Sequence, residues 1–420
     1  MKKISSLKNA LLLGTISLGA FVSAQVKLNE LTDFGTSIYD INNDGKGVHG
    51  NGYYDFTTNS SSSTETGVVQ TVEITNSGQV LGLMADESGE IFIPALKNNG
   101  AWAPLANMGD GFTYTLYAIS ENGMYVVGQT DWTVETGAWG FIYNTQTETL
   151  KVLDSPLYEY GAAYGVNNEG IAVGWVDDLP SGTVRMPAYF DEEGNITLIS
   201  EAYGEASNIN DNNEIVGSLE GVPFLYKIAG EELTTYEIPS DYLSAAFADI
   251  SDNGIAVGYA ETFIEGQGGL RNPIIFHPNL GAQPIFLADF LNDHDIDTST
   301  FDGIGYKISS DGKYIAGWIS GPAFMATGWA VYLDDAVMSV SDLNTSDLTF
   351  YPNPVKDILN LNSKSQIQKV SVYNLAGQQV MSKVNLSNAQ LDVTSLSPGV
   401  YVFRVTLEGG QLETFKIIKK

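Results

Sequence analysis

One five-residue pattern recurs seven times along the chain and constrains its fold more than any other feature. An aliphatic residue is followed four positions later by Gly, or once by Asn, and then by a short apolar run closed by another glycine. The copies open at Ile41, Ile74, Ile119, Val166, Ile209, Ile250 and Ile308. Their fifth residues are Gly45, Gly78, Gly123, Gly170, Asn213, Gly254 and Gly312, and the closing glycines are Gly50, Gly82, Gly128, Gly174, Gly217, Gly258 and Gly317. Two strands joined by a short loop need positive φ at the last loop residue, which Gly adopts without strain and Asn adopts next most readily. The Asp, Asn and Ser residues in between can cap the turn with their own side chains. The runs that follow, such as Ile171–Val173 and Ile255–Val257, are short and rich in β-branched residues, as buried strands should be.

Each copy carries a further apolar stretch, for instance Pro187–Phe190, Pro273–Phe276 and Gly328–Tyr332, and usually a fourth short strand. Unit starts lie 33 to 58 residues apart. Four strands in about 40–50 residues is the spacing of a propeller blade, so the reading is an all-β chain built on a seven-bladed β-propeller. The short first unit keeps six blades open as the alternative. The last unit lacks its fourth strand, and Val26–Leu31 is the segment left to supply it and close the ring. The pattern over Ile41–Tyr332 resembles the HAF repeats of secreted bacterial proteins, a resemblance that implies an exported β-rich protein and no activity.

The two ends state a destination. Lys2, Lys3 and Lys8 precede an apolar run from Ala10 to Val22, with small residues at Ser23 and Ala24. This is the layout of a signal peptide over residues 1–24, too short in its apolar part for a relaxed membrane span. A repeat domain over 25–338, a polar linker over 339–347 and a C-terminal module over 348–420 follow. The formal net charge is −30, yet Leu348–Lys420 holds eight basic and four acidic residues, so the charge changes sign near Asp347. So acidic a repeat domain would be repelled by nucleic acid and by anionic lipid. With no Cys among 420 residues, an exported fold must rely on its core rather than on disulfides.

Seven short strands punctuated by Gly377 and Pro398-Gly399 suggest a small Ig-like β-sandwich in the C-terminal module. Its ordered motifs are Tyr351-Pro352-Asn353-Pro354, Val372–Gly377, Leu396–Tyr401 with Gly399 and Tyr401, and the terminal run from Lys416 to Lys420. Together they closely resemble the type A C-terminal sorting domain of the type IX secretion system. The resemblance implies that the secretion machinery is a partner and that the protein reaches the outer-membrane surface or the medium.

Chemistry is less legible. Trp175, Tyr259 and Trp318 directly follow closing glycines, and Trp132, Glu135, Asp177, Asp178 and Glu261 lie nearby, in what reads as the inter-strand loops of one face. Rings beside carboxylates suit sugars, whose C–H faces stack while their hydroxyls need acceptors. Asp293, Asp295 and Asp297 alternate in an acidic loop that could hold calcium, the one cofactor the chain suggests. Asp40–Gly45 begins like a calcium loop, but Asn51 stands at the twelfth position, where a Glu is needed. No nucleophile, zincin or phosphate-loop motif is present. The expectation is a non-enzymatic surface binding module for glycan or an extracellular protein, with a glycan-active hydrolase or lyase as the alternative.

Overall fold

The computed structural model describes residues 26–31, 36–108, 114–131, 137–178, 184–238, 242–264, 268–294, 296–298, 303–319, 326–334, 348–352, 354–363, 366–374, 379–384, 390–407 and 412–420. Residues 1–24 and 339–347, which the sequence suggests are a signal peptide and a linker, fall outside them. The chain divides into two compact units, Met1–Met338 and Ser339–Lys420.

The first unit is a β-propeller. Among its described residues are seven antiparallel sheets of four strands each, here numbered 1 to 7 in chain order. Sheets 1 to 6 are meanders of consecutive strands, as in sheet 2 with Val68–Ile74, Val80–Ala85, Phe92–Asn98 and Ala101–Pro104. Sheet 7 takes Ile304–Ile308, Tyr314–Ile319 and Thr327–Leu333 from the end of the unit and Val26–Glu30 from its beginning. That N-terminal strand pairs in register from Val26 with Leu333 to Glu30 with Trp329. Leu28 packs on the cluster holding Trp329 and Val331, and Leu31 on the one holding Ala316 and Ala330. The first strands of successive sheets are neighbours, and that of sheet 7 adjoins that of sheet 1.

The core lies between sheets. Val173 of sheet 4 packs with Ile215 and Phe224 of sheet 5, and Leu81 of sheet 2 with Val126 and Phe141 of sheet 3. Packing of this kind needs apolar residues on both faces of a strand, which explains the continuous apolar runs. A helix, Leu287–Asp293, follows sheet 6 and buries Leu287, Phe290 and Leu291. It occupies the start of what the sequence suggests is an acidic loop.

The seven repeated turns are alike. Gly45, Gly78, Gly123, Gly170, Gly254 and Gly312 have φ between 68° and 84°, and Asn213 has φ 60°. The opening aliphatic residues are all buried. The second residue of each copy serves its own turn: Asn42 Oδ1 accepts the amides of Asp44 and Lys46 at 3.1 and 3.0 Å. The third residue does something else, and joins each turn to the next. Backbone amides donate from Asn43 to Asn76 Oδ1, Asn76 to Glu121 Oε2, Asn122 to Asn168 Oδ1, Asn168 to Asp211 Oδ1 and Asp211 to Asp252 Oδ1, all at 2.7–3.0 Å. Asp252 donates to the Ser310 carbonyl and Asp311 to Asn43 Oδ1, which brings the chain of bonds back to its start.

The closing glycines differ from the sequence reading. In sheets 2 to 7 they do not end the second strand but sit inside it. A Cβ on Gly174 would overlap the carbonyl oxygen of Ala162 in the first strand, and one on Gly317 would overlap that of Ile304. The close approach coincides with a β-bulge in the first strand of each of these sheets. A bulge re-aims the extra residue, and Gly opposite it gives the backbone room. In sheet 1 the first strand is only Asp40–Ile41, and Gly50 lies in a turn at φ 24°.

The second unit has a three-stranded sheet (Leu348–Tyr351, Ile358–Ser363, Gln390–Asp392) and a four-stranded one (Gln379–Val384, Ile367–Asn374, Gly399–Leu407, Leu412–Lys419). Leu359, Leu361 and Leu391 of the first share a core with Val370, Val372, Phe403 and Ile417 of the second.

Candidate functional site at the propeller axis

The bulged residue stands two places before each opening aliphatic residue. In sheets 3, 4 and 7 it is Tyr117, Tyr164 and Tyr306, and Tyr39 occupies the same place in sheet 1. All four line one axial cavity of about 480 Å³, together with Tyr259 and Trp318. The first strands of sheets 2 to 7 contribute to its wall, and Tyr39 reaches it from just before the first strand of sheet 1. Tyr117 and Tyr164 meet edge to face at 4.9 Å, and Tyr306 and Trp318 lie 4.8 Å apart. Burial raises the pKa of Tyr117, Tyr164 and Tyr259, so these phenols stay protonated at neutral pH and can both donate and accept.

The residue one place before the aliphatic points deeper along the axis. Here stand Asp40, Glu73, Asn208, Asp249 and Lys307, lining a second cavity of about 70 Å³ on the turn side. Glu73 and Lys307 line both cavities and partition them. They form a buried ion pair from sheet 2 to sheet 7. The carboxylates also take backbone amides of the next sheet: Asp40 Oδ2 from Ile74, Glu73 Oε2 from Ile119 and Asp249 Oδ2 from Ile308, at 2.8–2.9 Å. Burial, followed by the charge of Glu73, pushes the Asp40 carboxyl well up. Burial raises Asp249 too. Burial opposes the Lys307 charge, but Glu73, Asp249 and Asp40 outweigh it and hold that pKa well above the ordinary lysine value. On the turn side Glu121 is pushed up to about 7, by burial first and then by Glu73, Asp252 and Asp211.

The sequence-derived candidates divide unevenly. Tyr259 and Trp318 reach the cavity. Trp175 does not offer a free face. It lies inside a strand rather than in a loop, only 5% exposed, with Nε1 donating to the Tyr164 hydroxyl at 2.8 Å and the Arg185 guanidinium 4.1 Å over its ring. Tyr259 and Trp318 are likewise strand residues. Asp177 is buried, Asp178 ends the same strand, and Glu261 pairs with Arg271. Trp132 and Glu135 lie outside the described residues. Asp293 ends the helix and Asp297 is exposed beyond it, while Asp295 is outside the described residues. Among the described residues no group of three or more acidic or His side chains is placed to hold a metal ion. The Asp40–Gly45 segment spends its oxygens on backbone amides, Asp40 on Ile74 and Asn42 on its own turn.

In the second unit Tyr351, Pro352 and Pro354 are exposed, and Tyr401 packs against the core with its hydroxyl donating to the Ser397 carbonyl at 2.9 Å. Gly399 opens a strand that pairs with the strand carrying Lys416, whereas Asn353 and Gly377 are outside the described residues. Residues 349–420 match the family described as a secretion system C-terminal sorting domain. The C-terminal unit is a type IX sorting domain. It directs the chain to the cell surface or the extracellular space. The chain is also 36% identical over 74 residues to Beta-agarase D of Zobellia galactanivorans, a match that covers 18% of this chain and 15% of the agarase. Solved structures of low identity resemble part of this chain. One is oligogalacturonate lyase from Vibrio parahaemolyticus, at 10% identity, 76% of this chain, 96% of that one and a TM-score of 0.47. Another is the propeller domain of the Trilobed protease from Pyrococcus furiosus, at 11%, 74%, 98% and 0.48.

The sequence reading passed over Tyr39, Tyr117, Tyr164 and Tyr306, although Tyr stands two places before the aliphatic residue in four of seven copies. It passed over Arg185 and Arg271 as well, each two residues before a proline.

Proposed function

We propose that this protein is a non-enzymatic glycan-binding module displayed or released by the type IX route, with the axial cavity as its site. On this reading residues 1–24 are a signal peptide, the HAF-like repeats form a closed seven-bladed propeller, and the sorting domain is an Ig-like sandwich. The carrying observation is the ring of Tyr39, Tyr117, Tyr164, Tyr259, Tyr306 and Trp318 around one mouth. Neutral phenols offer hydroxyl partners and their faces offer C–H stacking, the two demands a sugar makes. A cavity built on the axis takes the end of a chain rather than a segment lying across the face. What favours binding over cleavage is the state of the carboxylates in the cavity wall. Glu73 has both oxygens engaged, by Lys307 and by the Ile119 amide, and Glu205 is paired with Arg185. A glycosidase needs one carboxyl free to protonate and another free to attack or to activate water.

The test is a glycan array probed with the purified full-length protein, run beside a turnover assay on each bound glycan. Retention of a glycan without release of shorter products is expected. Release of products from a retained glycan would replace this reading with the hydrolase or lyase one.

A further inference from the structure

The chain contains three arginines in 420 residues, and the first unit has two of them, Arg185 and Arg271. Both lie on the third strand of a sheet, Arg185 at the start of Arg185–Phe190 in sheet 4 and Arg271 inside Gly268–Phe276 in sheet 6, at the same register. Arg185 pairs with Asp177 and Pro187 with Trp175; Arg271 pairs with Glu261 and Pro273 with Tyr259. Each guanidinium sits over the ring that follows the closing glycine, 4.1 Å from Trp175 and 4.4 Å from Tyr259. Each is held from one side by a carboxylate, Arg185 by Glu205 and Arg271 by Glu261, the latter at 2.8 Å. Both side chains keep about two fifths of their surface exposed, 43% and 41%. Tyr259 and Glu205 also line the axial cavity. The fold itself does not call for arginine here. Sheets 2 and 5 carry Pro94 and Pro223 on their third strands, preceded two residues earlier by Phe92 and Gly221.

We infer that Arg185 and Arg271 are an oxyanion-recognising pair beside the mouth, so the glycan taken by the axial cavity is an acidic one bearing carboxylate or sulfate groups. This inference rests on the glycan reading above and adds a substrate class to it. A guanidinium has five donors in a fixed plane, and one paired carboxylate leaves part of that fork unused. Stacking on a ring and pairing along one edge fix its orientation, which favours a planar or tetrahedral oxyanion approaching the other edge. In a unit this acidic, the two cations beside the mouth offset the negative charge of Glu205 and Glu261 where a ligand enters.

The experiment titrates the full-length protein with two matched pairs of probes. One pair is a short oligouronate and its carboxyl-reduced counterpart, and the other is a sulfated galactan oligosaccharide and its desulfated counterpart. Binding to one acidic probe at least about tenfold tighter than to its neutral counterpart is expected, with the preference shrinking as salt rises. Which acidic probe wins tells carboxylate from sulfate. Arg185→Gln and Arg271→Gln should each reduce that preference, while Arg185→Lys, which keeps the charge but not the fork, restores only part of it. Circular dichroism on each variant confirms that the fold is retained, and Arg271→Lys serves if Arg271→Gln does not fold. Equal binding of acidic and neutral members overturns the arginine inference and leaves the glycan reading standing. Absence of binding to all four probes overturns both, and an acid preference untouched by all the arginine variants overturns the assignment of these residues.

Discussion

The two faces of the propeller are made by the same strands and obey different rules. At the turn face all seven copies do the same thing: a buried aliphatic residue, a residue at positive φ and a side-chain or carbonyl oxygen offered to a neighbouring turn. At the mouth no two sheets present the same set of residues. Tyr, Val, Ser and Ala all occupy the bulged place, and only sheets 4 and 6 carry an arginine over a ring. The regular face carries the assembly, and the irregular face is where the proposed glycan site lies. On that proposal, repetition in this sequence marks structure and departures from the repetition mark the site.

Mutations can test how separate the two roles are. The largest effect is expected midway between the faces. Lys307→Met removes one partner of the buried Lys307–Glu73 pair and leaves Glu73, Asp40 and Asp249 without a nearby cation. Breaking a buried pair from one side costs roughly 3–5 kcal/mol. Chemical denaturation should show that loss, and a change under about 1 kcal/mol would mean the axial pair does not tie sheet 2 to sheet 7.

At the turn face, Gly254→Val places a β-branched residue at φ 84°, where its Cβ meets only ordinary contacts, Glu214 Oε2 at 3.9 Å and His277 Cδ2 at 4.0 Å. The strain alone should cost roughly 1–3 kcal/mol and leave ligand capture unchanged. Asn213→Gly is the companion case. Glycine relieves the positive φ, but Asn213 also accepts from Asn167 at 2.7 Å and donates to Glu169 at 3.1 Å. The relief and the lost bonds are each about 1 kcal/mol, so the net change should be near zero. A large loss from Asn213→Gly with little from Gly254→Val would show that the bonds between turns matter more than the backbone conformation.

The mouth should respond the other way. Tyr306→Ala removes a ring that is 38% exposed, so its stability cost should stay near 1 kcal/mol or below while glycan retention on the array falls. Cooperative unfolding of this variant, with binding preserved in the folded fraction, would make the ring a packing element.

The last effect is a slope. The Glu121 carboxyl, pushed up to about 7 from an ordinary 4.5, holds its proton more tightly in the folded state than in the unfolded one. Its contribution to stability is complete below the unfolded value and is lost as pH rises from about 4.5 to about 7. Glu121→Gln keeps an acceptor for the Asn76 amide and should flatten the fall of the denaturation midpoint across that window. Asp252, also raised by burial, leaves a residual slope. Parallel midpoint curves for the two proteins would contradict the burial of Glu121.

Much of this architecture was legible in the sequence because it rests on local rules. Positive φ selects Gly or Asn, buried strands select β-branched residues, and a missing last strand beside a spare first one implies the pairing of Val26–Glu30 with Thr327–Leu333. The export tail was legible for the same reason, as contiguous motifs from Tyr351 to Lys420. Tertiary structure alone decided where side chains more than 40 residues apart converge. A period-2 reading cannot foresee that a glycine in one strand lets its neighbour bulge, and the bulge is what turns Tyr117, Tyr164 and Tyr306 onto the axis. Nor does spacing reveal that Trp175 lies under a guanidinium, or that the third residue of each turn serves the adjoining sheet rather than its own. Those contacts exist only because the ring brings the sheets side by side, and that proximity depends on the whole unit rather than on any one repeat.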